Sequence, residues 1–101
     1  MIVALRVRVS KQAAVQIEKA AFWWSENRPA ALGAVRADIG EALALLAQEP
    51  GIGSPCEGAQ GLGVRRLFLS RVRYFLYYRV SSDSLDVLAF WHVSRGNPPP
   101  L

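Results

Sequence analysis

The chain has 101 residues, 51% apolar and 20% charged, a size and composition suited to one compact domain that needs no covalent staples. A single cysteine, Cys56, and a single histidine, His92, exclude an internal disulfide and make a zinc site a poor fit, so neither a metal nor a cofactor is expected. The net charge of +4 is unevenly placed: residues 11–50 sum to −1, whereas residues 1–10 and 64–101 carry eight arginines against Asp83 and Asp86, +6. Such a patch favours an anionic partner without naming it.

Residues 2–9 alternate, with Val3, Leu5, Val7 and Val9 on one side and Arg6 and Arg8 on the other, which predicts a half-buried strand. The same arginines interrupt what would have to be the apolar core of a signal peptide. No apolar run approaches the roughly 20 residues that span a bilayer. A cytoplasmic protein without membrane contact is expected.

Ser10 reads as an N-cap. A helix over 11–26 follows, with Ala14, Ile17, Ala21 and Trp24 at helical spacing. Asn27-Arg28-Pro29 breaks it, Asn27 being a ready cap and Pro29 suiting the first turn of a second helix over 29–48. Leu32, Val35, Ile39, Leu43 and Leu46 form that helix's stripe. Gly33 and Gly40 weaken it by about 1 kcal/mol each relative to alanine. Trp23 and Trp24 point about 100° apart, so one is expected in the core and the other partly exposed, where a tryptophan makes a good interface anchor.

Residues 50–63, with five glycines and two prolines, read as a loop. Gly58, Gly61 and Gly63 neither follow a strand nor open a helix, so they are no dinucleotide fingerprint. Cys56 has no sequence neighbour that would lower its pKa, which argues against a thiol nucleophile. Three strands, 64–69, 73–80 and 85–92, then form a meander. Tyr74, Leu76, Tyr78 and Val80 form the better core face of the middle strand, and the last strand is apolar on both faces, as befits an interior position. The order β-α-α-β-β-β predicts an α+β domain with a helical hairpin on a small antiparallel sheet. Its expected core includes Leu5, Val7, Ile17, Val35, Ile39, Leu43, Leu67, Leu76, Tyr78 and Val87.

This order resembles the RelE/ParE superfamily of toxins from bacterial toxin–antitoxin modules. The resemblance rests on the Asn27–Pro29 break, "EPGIG" at 49–53, "GVRRL" at 63–67, "RYFLYYRV" at 73–80 and "VLAFWHVSRG" at 87–96. It covers nearly the whole chain and is closer to the ParE branch and its plasmid-stabilisation relatives. It implies a toxin that a cognate antitoxin neutralises. ParE-like members poison DNA gyrase, while RelE-like members cut messenger RNA on the ribosome. It also implies a complex that contacts operator DNA mainly through the antitoxin.

Arg65, Arg66, Arg73, Arg79 and Arg95 offer forked donors for a partner's carboxylates or for phosphate. With His92 and Trp23 they are the expected partner-binding set. If the chain were a ribonuclease, His92, Arg79, Arg65 and Arg95 would be its catalytic candidates, His92 being the one group with an ordinary pKa near neutrality. The ribonuclease branch usually brings lysines, a glutamate or a C-terminal tyrosine to that task. Here Lys11 and Lys19 sit on the first helix and no tyrosine follows Tyr78. The gyrase-directed reading is therefore preferred, with mRNA cleavage or a non-toxic binding module as alternatives. The first reading of His92 itself is structural, a hydrogen-bonding residue closing a buried strand.

Overall fold

A computed structural model describes residues 5–56 and 63–101; residues 2–4 of the expected first strand, and Gly58 and Gly61, lie outside them. The elements are β1 (Arg6–Val9), α1 (Lys11–Asn27), a 3-10 turn (Pro29–Ala31), α2 (Ala34–Gln48), a second 3-10 turn (Pro50–Ile52), β2 (Ser54–Pro55), β3 (Arg65–Leu69), β4 (Tyr74–Ser81) and β5 (Ser84–His92). They build the expected α+β architecture, two helices on one sheet of order β1-β5-β4-β3-β2.

The sheet is not wholly antiparallel. β1 runs parallel to β5, pairing Val7 with Leu85 and Val9 with Val87, while the other pairs are antiparallel. An intervening helical hairpin is the long crossover that a parallel neighbour requires.

Ser10 caps α1 as expected, its hydroxyl accepting from the Ala13 N–H at 3.0 Å. The same hydroxyl donates to the Leu88 carbonyl at 3.2 Å, and Gln16 Oε1 accepts from the Phe90 N–H at 2.8 Å. Beyond the end of β1, α1 thus takes over the ladder bonds of β5 and closes an open sheet edge. Asn27 acts differently from its expected role. Its side chain donates back to the Trp23 carbonyl at 2.9 Å, so it finishes α1 instead of capping the next helix.

The second helix is shorter than predicted. Pro29–Ala31 forms only a 3-10 turn, Leu32 is extended, and Gly33 enters α2 at φ 86. A left-handed N-cap suits glycine, so Gly33 is a junction and does not weaken the helix interior. Leu32 leaves the apolar stripe and is 73% exposed.

The main core joins Val35, Ile39 and Leu46 to Leu76, Tyr78, Leu85, Val87 and Phe90, with Leu5, Ile17, Leu43 and Leu67 partly buried around it. Val7 is the exception, at 41% exposed. β1 is an edge strand, and the outward sides of Val7 and Val9 extend past the cover of the helices. Val80, likewise expected on the core face, is 40% exposed near the end of β4.

A smaller cluster occupies the opposite face, with Val64, Tyr77 and Ala89 buried and Phe75, Leu88, Trp91 and Leu101 against them. The C-terminal tail supplies its cover. Trp91 Nε1 donates to the Asn97 carbonyl and Gln12 Nε2 to the Pro100 carbonyl, both at 2.6 Å, and Pro99 is buried. β5 therefore lies inside the sheet with both faces covered, as its two apolar faces require.

Candidate functional site

Strand alternation separates arginines that are adjacent in sequence. Arg65 pairs with Tyr78 and Arg66 with Tyr77, which puts them on opposite faces of β3. On the helical side Arg65 Nη1 donates to the Gly53 carbonyl at 2.7 Å. Gly53 N–H in turn donates to the Tyr78 hydroxyl at 3.0 Å, and that hydroxyl donates to the Pro50 carbonyl at 2.6 Å. Arg65 thus helps fasten the EPGIG turn to the core, a structural task the arginine pattern did not reveal.

On the other face Arg66 lies over Phe75, 4.1 Å from guanidinium carbon to ring centroid, and donates to the Tyr77 hydroxyl at 3.3 Å. Arg95 lies over Trp91 at 4.0 Å. These stacked cations, with the tail at Gly96–Pro98, frame a small hollow of about 170 Å³. Arg79 sits further along β4, opposite Asp86, and Asp86 also meets Arg8 at 3.7 Å. The expected partner-binding arginines do not share one surface: they are divided between two faces, and the tail covers the apolar part of one.

His92 borders both regions. Its Nδ1 accepts from the Ser94 N–H at 3.0 Å and lies 2.7 Å from the Ser94 hydroxyl. Its ring stands edge-on to Tyr74 at 4.9 Å, while Tyr74 stacks on Phe90 at 4.4 Å. These contacts orient the imidazole by structure.

On the helical side a larger cleft of about 470 Å³ opens between the end of α1 and the β3–β4 turn. Trp23, Arg28, Arg71, Arg73, Tyr74 and His92 line it, with Trp24 in its wall. As expected of the tryptophan pair, Trp24 packs on the core and Trp23 remains 48% exposed. Of the expected partner-binding set, Trp23, Arg73 and His92 meet here. Arg28 and Arg71 were not in that set. They come from a helix break and a turn, and only the fold brings them together.

Arg71 is held by the buried Asp38 of α2; this hydrogen bond raises the guanidinium pKa further and ties the turn to the helix. Arg73 occupies the left-handed region at φ 65, donating its N–H to the Leu69 carbonyl at 2.8 Å and accepting from the Val93 N–H at 3.1 Å. Arg28 and Arg73 have no ion-pair partner among the described residues.

Burial pushes the Tyr74 hydroxyl above its ordinary 10.0, with Arg95 pulling weakly the other way. Burial likewise raises Tyr78, against the Gly53 hydrogen bond and Arg65. Cys56 is raised by burial, so its thiolate is scarcer at neutral pH. None of these shifts activates a base or a nucleophile. The two tyrosines do predict alkaline lability. The unfolded chain releases these protons first, so the stability is complete below pH 10.0 and declines as pH rises through the folded values. Circular dichroism and phenolate absorbance followed together should show unfolding coupled to ionisation, and Tyr74→Phe should lessen the loss.

The profile of a family described as the ParE toxin of the type II toxin–antitoxin system parDE matches residues 7–96. Among solved structures, the chain is similar to one described as the chromosomal ParDE TA system from P. aeruginosa. The identity is 26% and the TM-score 0.74, over 90% of this chain and 98% of that one. No curated protein sequence matches.

Proposed function

Because the chain belongs to the ParE toxin family of type II toxin–antitoxin systems, we propose that it arrests growth by binding and inhibiting DNA gyrase, and that a cognate antitoxin neutralises it. The proposal includes a cytoplasmic site of action, consistent with the finding that no helix among the described residues is long and apolar enough to cross a membrane. Operator DNA would be contacted through the antitoxin in the complex.

The observation that carries a binding mode of action is the covered sheet face. Cleaving RNA through its 2′-hydroxyl takes a base, an acid and cations free to reach the scissile phosphate. On this face Arg66 and Arg95 are laid over aromatic rings and the tail closes over Ala89 and Tyr77. On the helical side, where the His92 ring meets Tyr74, His92 Nδ1 is occupied by Ser94. Tyr74, the nearest phenol, is shifted away from neutrality. Arg66 and Arg95 remain suited to a protein partner, where stacked arginines are common anchors.

Expression of the chain alone should stop growth, and co-expression of the product of the neighbouring reading frame should restore it. Primer extension on a long transcript from the arrested cells should show no new ribosome-dependent ends. Such ends, if abolished by His92→Ala, would replace this reading with ribonuclease activity.

A further inference from the structure

The cleft between α1 and the β3–β4 turn combines features that no fold requirement explains. Arg28 and Arg73 approach it from different elements without a carboxylate to pair with among the described residues. Trp23 stands half-exposed at its wall, and the same end of the helical layer exposes Phe22 and Leu32. Arg73 keeps a large side chain at a left-handed position where glycine or asparagine would be relaxed. Backbone strain of this kind, held by two hydrogen bonds at the turn, is a frequent mark of a binding site.

We infer that this cleft receives an acidic, amphipathic segment of the cognate antitoxin. A large apolar side chain seats against Trp23, and carboxylates engage Arg28 and Arg73. The inference rests on the reading of the chain as an antitoxin-bound toxin and adds the place and chemistry of the contact.

Charge complementarity selects an anionic occupant. The aromatic wall selects a protein segment over a nucleic-acid strand. A strand tracks a continuous row of cations with several free rings for its bases. Here Tyr74 is already stacked on Phe90 and Trp24 is packed into the core, which leaves Trp23, half-exposed and set edge-on against Trp24, as the exposed ring of the cleft. The nearest further cation, Arg71, is already joined to Asp38. Arg6 and Arg8 lie on the distant edge strand beside Asp83 and Asp86.

The test measures affinity for the purified product of the neighbouring reading frame. It compares the unchanged protein with Trp23→Ala, Arg28→Glu and Arg73→Ala, and with Arg6→Ala as a charge-loss control away from the cleft. Melting temperatures verify that each variant is folded. Trp23→Ala combined with Arg28→Glu should weaken binding on the order of a hundredfold, as expected when two interface anchors are lost. Arg6→Ala should change it by about twofold or less. Raising salt should weaken the unchanged complex more than the Arg28→Glu complex. If the unchanged protein binds and the cleft variants bind equally well, the inference is overturned while the toxin reading stands. If the unchanged protein binds no neighbouring product, the antitoxin reading itself fails. Binding of a single-stranded oligonucleotide that depends on these residues, with protein binding unaffected, would also overturn the inference by assigning the cleft to nucleic acid.

Discussion

Tyr78→Ala is expected to remove about 4 kcal/mol of stability, the usual cost of truncating a fully buried aromatic side chain. That is much of the 5–15 kcal/mol by which domains of this size are typically stable. Tyr78 is 0% exposed, and its hydroxyl is the fixed point of the EPGIG turn, accepting from Gly53 N–H and donating to the Pro50 carbonyl. The complementary change is Gly53→Ala. Gly53 has ordinary extended backbone, so the constraint is contact and not φ. An added Cβ would lie 2.8 Å from Cε1 and 2.9 Å from Cζ of Tyr78, a ring that cannot swing away. Overpacking of this kind costs about 1–3 kcal/mol. Urea titration followed by tryptophan fluorescence measures both. A loss below about 1 kcal/mol for Tyr78→Ala would remove this account of the turn.

Deleting residues 97–101 should have the next largest effect. It removes the Trp91–Asn97 and Gln12–Pro100 hydrogen bonds and takes Leu101 off the cluster of Val64, Tyr77 and Ala89. Two partly exposed hydrogen bonds and one partly buried leucine amount to about 2–3 kcal/mol. The shortened chain should melt earlier and bind a hydrophobic dye through the uncovered sheet face. A full-length melting temperature without dye binding would mean that the tail is an ornament on a face that needs no cover.

Much of the fold was legible because the period of the pattern decides the element. Helical spacing from Ala14 to Trp24 and alternation in residues 64–92 located the major elements to within a few residues, and Leu76, Tyr78, Val35 and Val87 lie in the core as expected. Alternation in residues 5–9 revealed a strand but not its neighbour. The parallel pairing with β5 depends on contacts almost eighty residues away in sequence. Nor could it show that the helices stop short of Val7, since burial at an edge depends on what the rest of the chain covers. The candidate site was less legible. Six basic residues fall in 64–96 without showing how the sheet divides them, although the adjacency of Arg65 and Arg66 was itself a signal that a strand would part them. Arg28 had been absorbed into a helix break and Arg71 into a turn, and neither carried a local pattern. Only the packing of α1 against the β3–β4 turn unites them with Trp23, Arg73 and His92.

The most direct test of the central claim is a supercoiling assay with purified gyrase and the purified toxin. The account predicts loss of supercoiling activity on adding the toxin. Inhibition should weaken in Arg95→Ala, whose guanidinium lies over Trp91 at the protein surface, and in the chain lacking residues 97–101. Supercoiling activity should return when the antitoxin is added. Undisturbed gyrase activity, together with ribosome-dependent cleavage of a transcript that disappears in His92→Ala or Arg79→Ala, would contradict it.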